Sequence, residues 1–188
     1  MDEPRPDWSR VARRVRVPLG FVFAILYFWL ARPNWTSIGV GVLLIVPGLL
    51  LRAMASGHVS KNETLAVSGP YAYTRNPLYL GSLLLGVGFA VAGRSVWVGV
   101  LLVLMFFAIY IPVIRGEEKF LKDKFPGFEE YSARVPRVFP RLRLQRTSNN
   151  QGDASFSAHL YLKHREYQAA VGTIIILVVL VIKMTWLR

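Results

Sequence analysis

Ser68–Gly81, SGPYAYTRNPLYLG, is the stretch whose reading decides the fold. Its first part is polar and turn-forming, and its end opens a run without charge that continues to Gly93. Gly69-Pro70 signals a turn. Asn76-Pro77 presses Asn76 out of the helical region and makes Pro77 a natural first helical residue. The stretch therefore predicts a polar turn feeding a helix start at the edge of an apolar segment. Such a helix end exposes backbone N–H groups that favour an anion such as a carboxylate. Tyr71, Tyr73 and Tyr79 add aromatic faces and hydroxyls, suited to covering a flat ring or to attracting a cation. They equally suit the aromatic belt of a membrane edge.

Outward from this point the chain divides into uncharged blocks: Val17–Ala31, Pro33–Leu51, Pro77–Gly93, Val96–Ile114 and Gln168–Ile182, the last reaching Trp186 if Lys183 snorkels. Hydrophobic residues make up 53% of the 188 and charged residues only 18%, and the mean hydropathy is +0.37. Apolar content gathered in blocks predicts an all-α, polytopic membrane bundle of about five spans rather than a large soluble core. Pro33 suits the start of the second span, and Pro47 predicts a kink in it. Arg94-Ser95 leaves room only for a tight hairpin between the third and fourth spans. Gly86, Gly88 and Gly93 fit close helix packing. Residues 145–157, QRTSNNQGDASFS, are a polar linker, followed by an interfacial piece from His159 to Tyr167. We take residues 1–188 as one membrane domain: 1–64 hold the tail and first two spans, 65–144 the core, and 145–188 the linker and last span.

The formal charge is +12. The N-terminal tail, the second connection and the long fourth connection carry 5, 3 and 11 of the 23 basic residues. With five spans these share one side, so the positive-inside rule puts the N-terminus in the cytoplasm and the C-terminus opposite, in a plasma or inner membrane if the source is prokaryotic. The charge then reflects topology and attraction to lipid headgroups, with no nucleic-acid partner. No small-residue cleavage site follows the arginine-rich start, so the first helix is expected to be retained. Absence of cysteine excludes thiolate metal sites and a cysteine nucleophile. His58, His159 and His164 lack metal-ligand spacing with nearby acids, so no metal site is expected.

A second dense stretch, Gly116–Pro140, GEEKFLKDKFPGFEEYSARVPRVFP, follows the fourth span. On a helix Glu117 shares a face with Phe120 and Leu121, and Glu118 with Leu121 and Phe125. Acids at a helix C-terminus oppose its dipole, so either the helix continues to about Phe125 or the pair has a cationic partner. A solvated charge cluster with Lys119 and Lys122 is the plain alternative. Phe125-Pro126-Gly127 reads as a turn. Arg134 and Arg137, three apart, could share a helical face and hold an anion, or lie against anionic lipid.

GPYAYTRNPLYLG followed, after a two-span hairpin, by EEKFLKDKFPGFEEYSARVPRVFP resembles the isoprenylcysteine carboxyl methyltransferase family and the related phospholipid N-methyltransferases, over about Leu65 to Pro140. The resemblance implies an integral-membrane methyltransferase with S-adenosylmethionine as cofactor and a lipophilic or lipidated acceptor. It implies cofactor binding by Gly69, Tyr71, Asn76, Pro77, Tyr79, Glu117 and Glu118, and Arg75, Asn76 and Arg137 stand as candidate catalytic residues. Many members carry His at the position of Asn76, and an amide keeps hydrogen bonding without the charge. A lipid or sterol reductase using NADPH and a non-catalytic lipid-binding protein are the rivals. No cluster suited to a 2′-phosphate stands in the matching stretch.

Overall fold

The computed structural model describes residues 8–60, 63–141 and 155–186, with side chains from Pro18 onward in the first helix. Arg5 and residues 145–154 of the expected linker lie outside the described residues. Among the described residues the regular elements are all helices, joined by short turns and loops, with no strand. α1 spans Trp8–Leu30, α2 Trp35–His58, α3 Pro77–Ala92, α4 Val96–Met105, α5 Ile111–Lys124, α6 Phe128–Arg134, α7 Ala158–Lys163 and α8 Tyr167–Trp186. A single 3₁₀ turn covers Gly69–Ala72, and a π turn, Phe106–Tyr110, joins α4 to α5 in one continuous rod. Trp35–His58, Val96–Lys124 and Tyr167–Trp186 are long and apolar enough to cross a membrane, and Pro18–Leu30 and Pro77–Ala92 are shorter apolar helices.

Local chemistry sets these boundaries, and it shifts three of the expected ones. α2 starts after Pro33, because Asn34 is the better cap: its side chain accepts from Ser37 N at 2.7 Å while Ser37 Oγ accepts from Asn34 N at 3.0 Å. α2 stays helical across Pro47 and runs on through Arg52 to His58, so about the first two turns of the expected turn-rich segment are helix. The fourth apolar helix likewise continues well past Ile114, to Lys124. At the tight hairpin, Arg94 takes a positive φ of 48° and Ser95 caps α4.

Two layers of contact place the helix ends. At one end Ser37 Oγ donates to the Ala92 carbonyl at 2.8 Å, Tyr27 Oη to the Phe89 carbonyl at 2.9 Å, and Arg32 N to the Gly93 carbonyl at 2.8 Å. Tyr27, Ala31, Ile38, Ala92, Val98, Leu180 and Met184 form the buried cluster there. It joins the ends of α1, α3 and α8 to the starts of α2 and α4. The opposite end therefore gathers the end of α2, the start of α3, the end of α5 and the start of α8. Between them α2 and α3 press backbone to backbone: a Cβ at Gly88 would lie 2.8 Å from the Gly41 oxygen, and one at Gly48 would lie 2.9 Å from the Gly81 oxygen. Small residues permit this approach, which is how helices gain packing where lipid supplies no hydrophobic drive.

Candidate functional site

The end that gathers Pro77 and the acidic pair holds a cavity of about 460 Å³. Pockets for small molecules run from about 300 to 1,000 Å³. Its walls come from the turn before α3, the end of α5 and α6.

Three segments build it. The 3₁₀ turn starts at Gly69, whose φ of +58° and contact with the His58 ring leave no room for a side chain. Asn76 is non-helical, at φ −128°, and Pro77 opens α3 as the dipeptide predicts. The segment after α6 then runs back along the first motif. Arg75 N donates to the Pro136 carbonyl at 2.9 Å, Arg141 N to the Tyr73 carbonyl at 3.2 Å, and the buried Thr74 hydroxyl to the Val138 carbonyl at 2.9 Å. Tyr131 Oη donates to the Tyr71 carbonyl at 2.8 Å, fastening α6 as well. Burial pushes the phenols of Tyr71 and Tyr131 well above the ordinary range. For Tyr71 the Glu117 and Glu166 carboxylates add to this, and for Tyr131 the Tyr71 and Glu118 charges do, against an opposing effect of Arg75.

The acidic pair divides. Glu118 is buried, and two cations serve it: Arg137 Nε at 2.8 Å on Oε2, and an Arg75 guanidinium nitrogen at 3.5 Å on Oε1. Asn76 Nδ2 donates to Glu118 Oε1 at 3.4 Å and to the Arg137 carbonyl at 2.9 Å. Both devices that would relieve acids at a helix end are thus present, since the helix runs on and the charge is paired. Glu117 is exposed and faces the cavity, accepting from Tyr79 Oη at 2.8 Å. Tyr79 in turn meets Tyr110, on the π turn, edge to face at 5.7 Å.

Of the sequence-derived residues, Tyr71, Arg75, Asn76, Pro77, Tyr79, Glu117 and Glu118 line the cavity together. Gly69 and Arg137 stand outside its lining, Gly69 packing on His58 and Arg137 reaching Glu118 from the rim. Arg134 and Arg137 do not share a helical face, because α6 ends at Arg134, which pairs with Glu130 instead. Sequence reasoning missed Thr74, Tyr131 and Phe128, which brace or wall the site. It also missed Arg52, a charge inside an apolar helix and so a flag in its own right. Among the described residues no three His, Asp or Glu side chains gather as a metal cluster.

The donor set suits S-adenosylmethionine. An exposed carboxylate, Glu117, matches an ammonium. Arg75 Nε is buried with no partner among the described residues, so the guanidinium retains a donor for a carboxylate. Phe125, Phe128 and Tyr131 supply faces for a flat base.

A profile of the phospholipid methyltransferase family matches residues 50–127. The cobalt-zinc-cadmium resistance protein CzcN of Cupriavidus metallidurans is 38% identical over 154 residues, 77% of this chain and 68% of that protein. The nickel-cobalt-cadmium resistance protein NccN of Alcaligenes xylosoxydans xylosoxydans is 34% identical over 122 residues, 64% of this chain and 56% of that protein. No solved structure matches the chain.

Proposed function

The chain belongs to the phospholipid methyltransferase family, and from that premise we propose that it transfers a methyl group from S-adenosylmethionine to a lipophilic acceptor at the cytosolic face of a membrane. The observation that carries the reading is one cavity with an exposed carboxylate on one wall and an incompletely used, nearly buried guanidinium on another. Glu117 would hold the cofactor's ammonium and Arg75 its carboxylate, with aromatic faces around the base. When bound, the cofactor supplies a methyl on a sulfonium, which leaves by in-line displacement.

Such a displacement needs alignment more than acid–base help. Arg75 and Asn76 are held by Glu118 and the backbone after α6, so the first motif is set before any ligand arrives. Arg137 contributes by pairing with Glu118 from the rim. A carboxylate acceptor attacks as it stands, whereas an ammonium acceptor first gives up a proton. The grouping of helix ends fits five passes with the site on the basic side, which the positive-inside rule assigns to the cytoplasm.

Calorimetry of the folded protein with S-adenosylhomocysteine, together with transfer of labelled methyl groups into a membrane lipid extract, tests this. We expect binding and label in the lipid fraction. Folded protein that does neither, or that binds NADPH instead, overturns the reading. Following the relatives' names, we extend the proposal to metal tolerance. A host expressing the wild type should outgrow one expressing Glu117→Gln on cobalt or cadmium, and equal growth would sink that extension.

A further inference from the structure

Arg52 sits near the end of α2, in an otherwise apolar helix, with its side chain 22% exposed. It takes Glu166 in a two-pronged pair: Nη2 lies 2.8 Å from both carboxylate oxygens and Nε 3.1 Å from Oε2. Glu166 comes from the turn that opens α8, 114 residues along the chain. The remaining guanidinium nitrogen, Nη1, donates to the Ser82 hydroxyl and reaches the Leu78 carbonyl oxygen at 3.5 Å. Ser82 also donates to that same Leu78 carbonyl at 2.9 Å. These groups flank Tyr79, the residue that holds Glu117, on the helix that Asn76 and Pro77 begin.

The same part of the chain grips α2 elsewhere. The Phe156 ring fills the space over Gly57 and packs beside His58 at 6.3 Å, while Ser157 N donates to the Gly57 carbonyl at 2.9 Å. The His164 ring bonds the Ser56 carbonyl at 3.1 Å. The family profile ends at residue 127, so none of these holding residues from Phe156 onward belongs to the matched stretch.

We propose that Arg52 is a positioning residue: through it Glu166, at the head of the last apolar helix, fixes the first turns of α3 and so the cavity wall that carries Asn76 and Tyr79. A guanidinium this buried needs a counter-charge. Glu166 supplies it in the fork geometry that only arginine offers, leaving one arm free to hold α3. Loss of Glu166 releases the guanidinium to turn toward water, and the hold on Ser82 and Leu78 goes with it. The last span is thereby a working part of the site although it touches no ligand.

Hydrogen exchange by mass spectrometry on the full-length protein in detergent decides this, because the Tyr79 and Leu80 amides both donate to the Asn76 carbonyl. Variants Glu166→Gln and Arg52→Lys are compared with Leu180→Ala, a core truncation at the far end of the bundle, at a temperature where all are folded. We expect the Pro77–Ser82 peptide to exchange about tenfold faster in the first two, the loss of one charge-assisted contact. Leu180→Ala should leave that peptide protected despite its lower melting temperature. In its binding arm the inference rests on the methyltransferase reading: S-adenosylhomocysteine should bind about tenfold more weakly to Glu166→Gln and as in the wild type to Leu180→Ala. Unchanged exchange of the peptide in Glu166→Gln, or acceleration spread evenly along the chain as in Leu180→Ala, overturns the positioning role. A wild type that binds no S-adenosylhomocysteine strikes the methyltransferase reading alone, since the exchange result still decides this one.

Discussion

Glu118→Gln would remove the carboxylate charge that Arg75 and Arg137 share. The Arg75 side chain is 14% exposed and that of Glu118 10%, so the substitution strands a nearly buried guanidinium beside a neutral amide. Breaking a buried ion pair by removing one partner costs about 3–5 kcal/mol. The Arg137 arm, 44% exposed, adds little because solvent screens it. The lower figure, about 3 kcal/mol, is the better expectation, since the amide still accepts one hydrogen bond. In a chain of this length that corresponds to a drop in melting temperature of about 6–12 °C. Glu117→Gln removes an exposed charge instead, and should cost no more than about 0.5 kcal/mol of stability. Its effect falls on the ligand: one charge-assisted hydrogen bond is worth about 1.5–3 kcal/mol, or about ten- to a hundredfold in affinity. Thermal unfolding in detergent and calorimetry with S-adenosylhomocysteine on the same samples separate the two. Equal losses of stability in both variants, or a larger loss in Glu117→Gln, would refute the division of labour between the adjacent acids.

Three further outcomes follow from the geometry. Tyr79→Phe keeps the ring against Tyr110 but frees Glu117, so calorimetry should show S-adenosylhomocysteine binding about three- to tenfold more weakly, a loss of about 1 kcal/mol. Burial favours the neutral phenols of Tyr71 and Tyr131, so the unfolded chain gives up those protons first. Their contribution to stability is whole below the ordinary value of 10.0 and declines as pH rises beyond it. A melting series from neutral to strongly alkaline pH, followed by tyrosinate absorbance, should show phenols that ionise only on unfolding, and Tyr71→Phe and Tyr131→Phe should each remove one of them. Gly88→Ala drives a methyl toward Ile45 Cγ1 and the Gly41 oxygen, and should lower stability by about 1–3 kcal/mol in thermal unfolding; wild-type stability would contradict the close seam.

The apolar blocks were plain in the sequence because charge is expensive in them, and Asn76-Pro77 announced the start of α3 because a proline ring leaves little choice of backbone. The two glutamates were legible as a pair but not as individuals. Neighbours on a helix point about 100° apart, and each shared a face with Leu121, so only their tertiary partners show that Glu118 is clamped and Glu117 open. Arg137 looked like a helical companion of Arg134, yet the α6 helix stops between them. Arg52 read as the boundary of a span because its partner, Glu166, comes from the far end of the chain. Thr74 carried no signal, since its role depends on the backbone of residues that pass beside it only in the fold.

The unbroken rod from Val96 to Lys124 works as a depth gauge. At about 1.5 Å per residue it is about 43 Å long, against about 30 Å of hydrocarbon in a bilayer. Counted from Val96, that thickness runs out near Arg115, the first charged residue on the rod. On the membrane placement proposed above, Glu117 and Glu118 would stand at the level of the headgroups, held there by helical backbone rather than by a loop. Deleting one helical turn from the rod would draw both acids about 5 Å into the hydrocarbon, away from the depth at which a lipid's reactive group meets water.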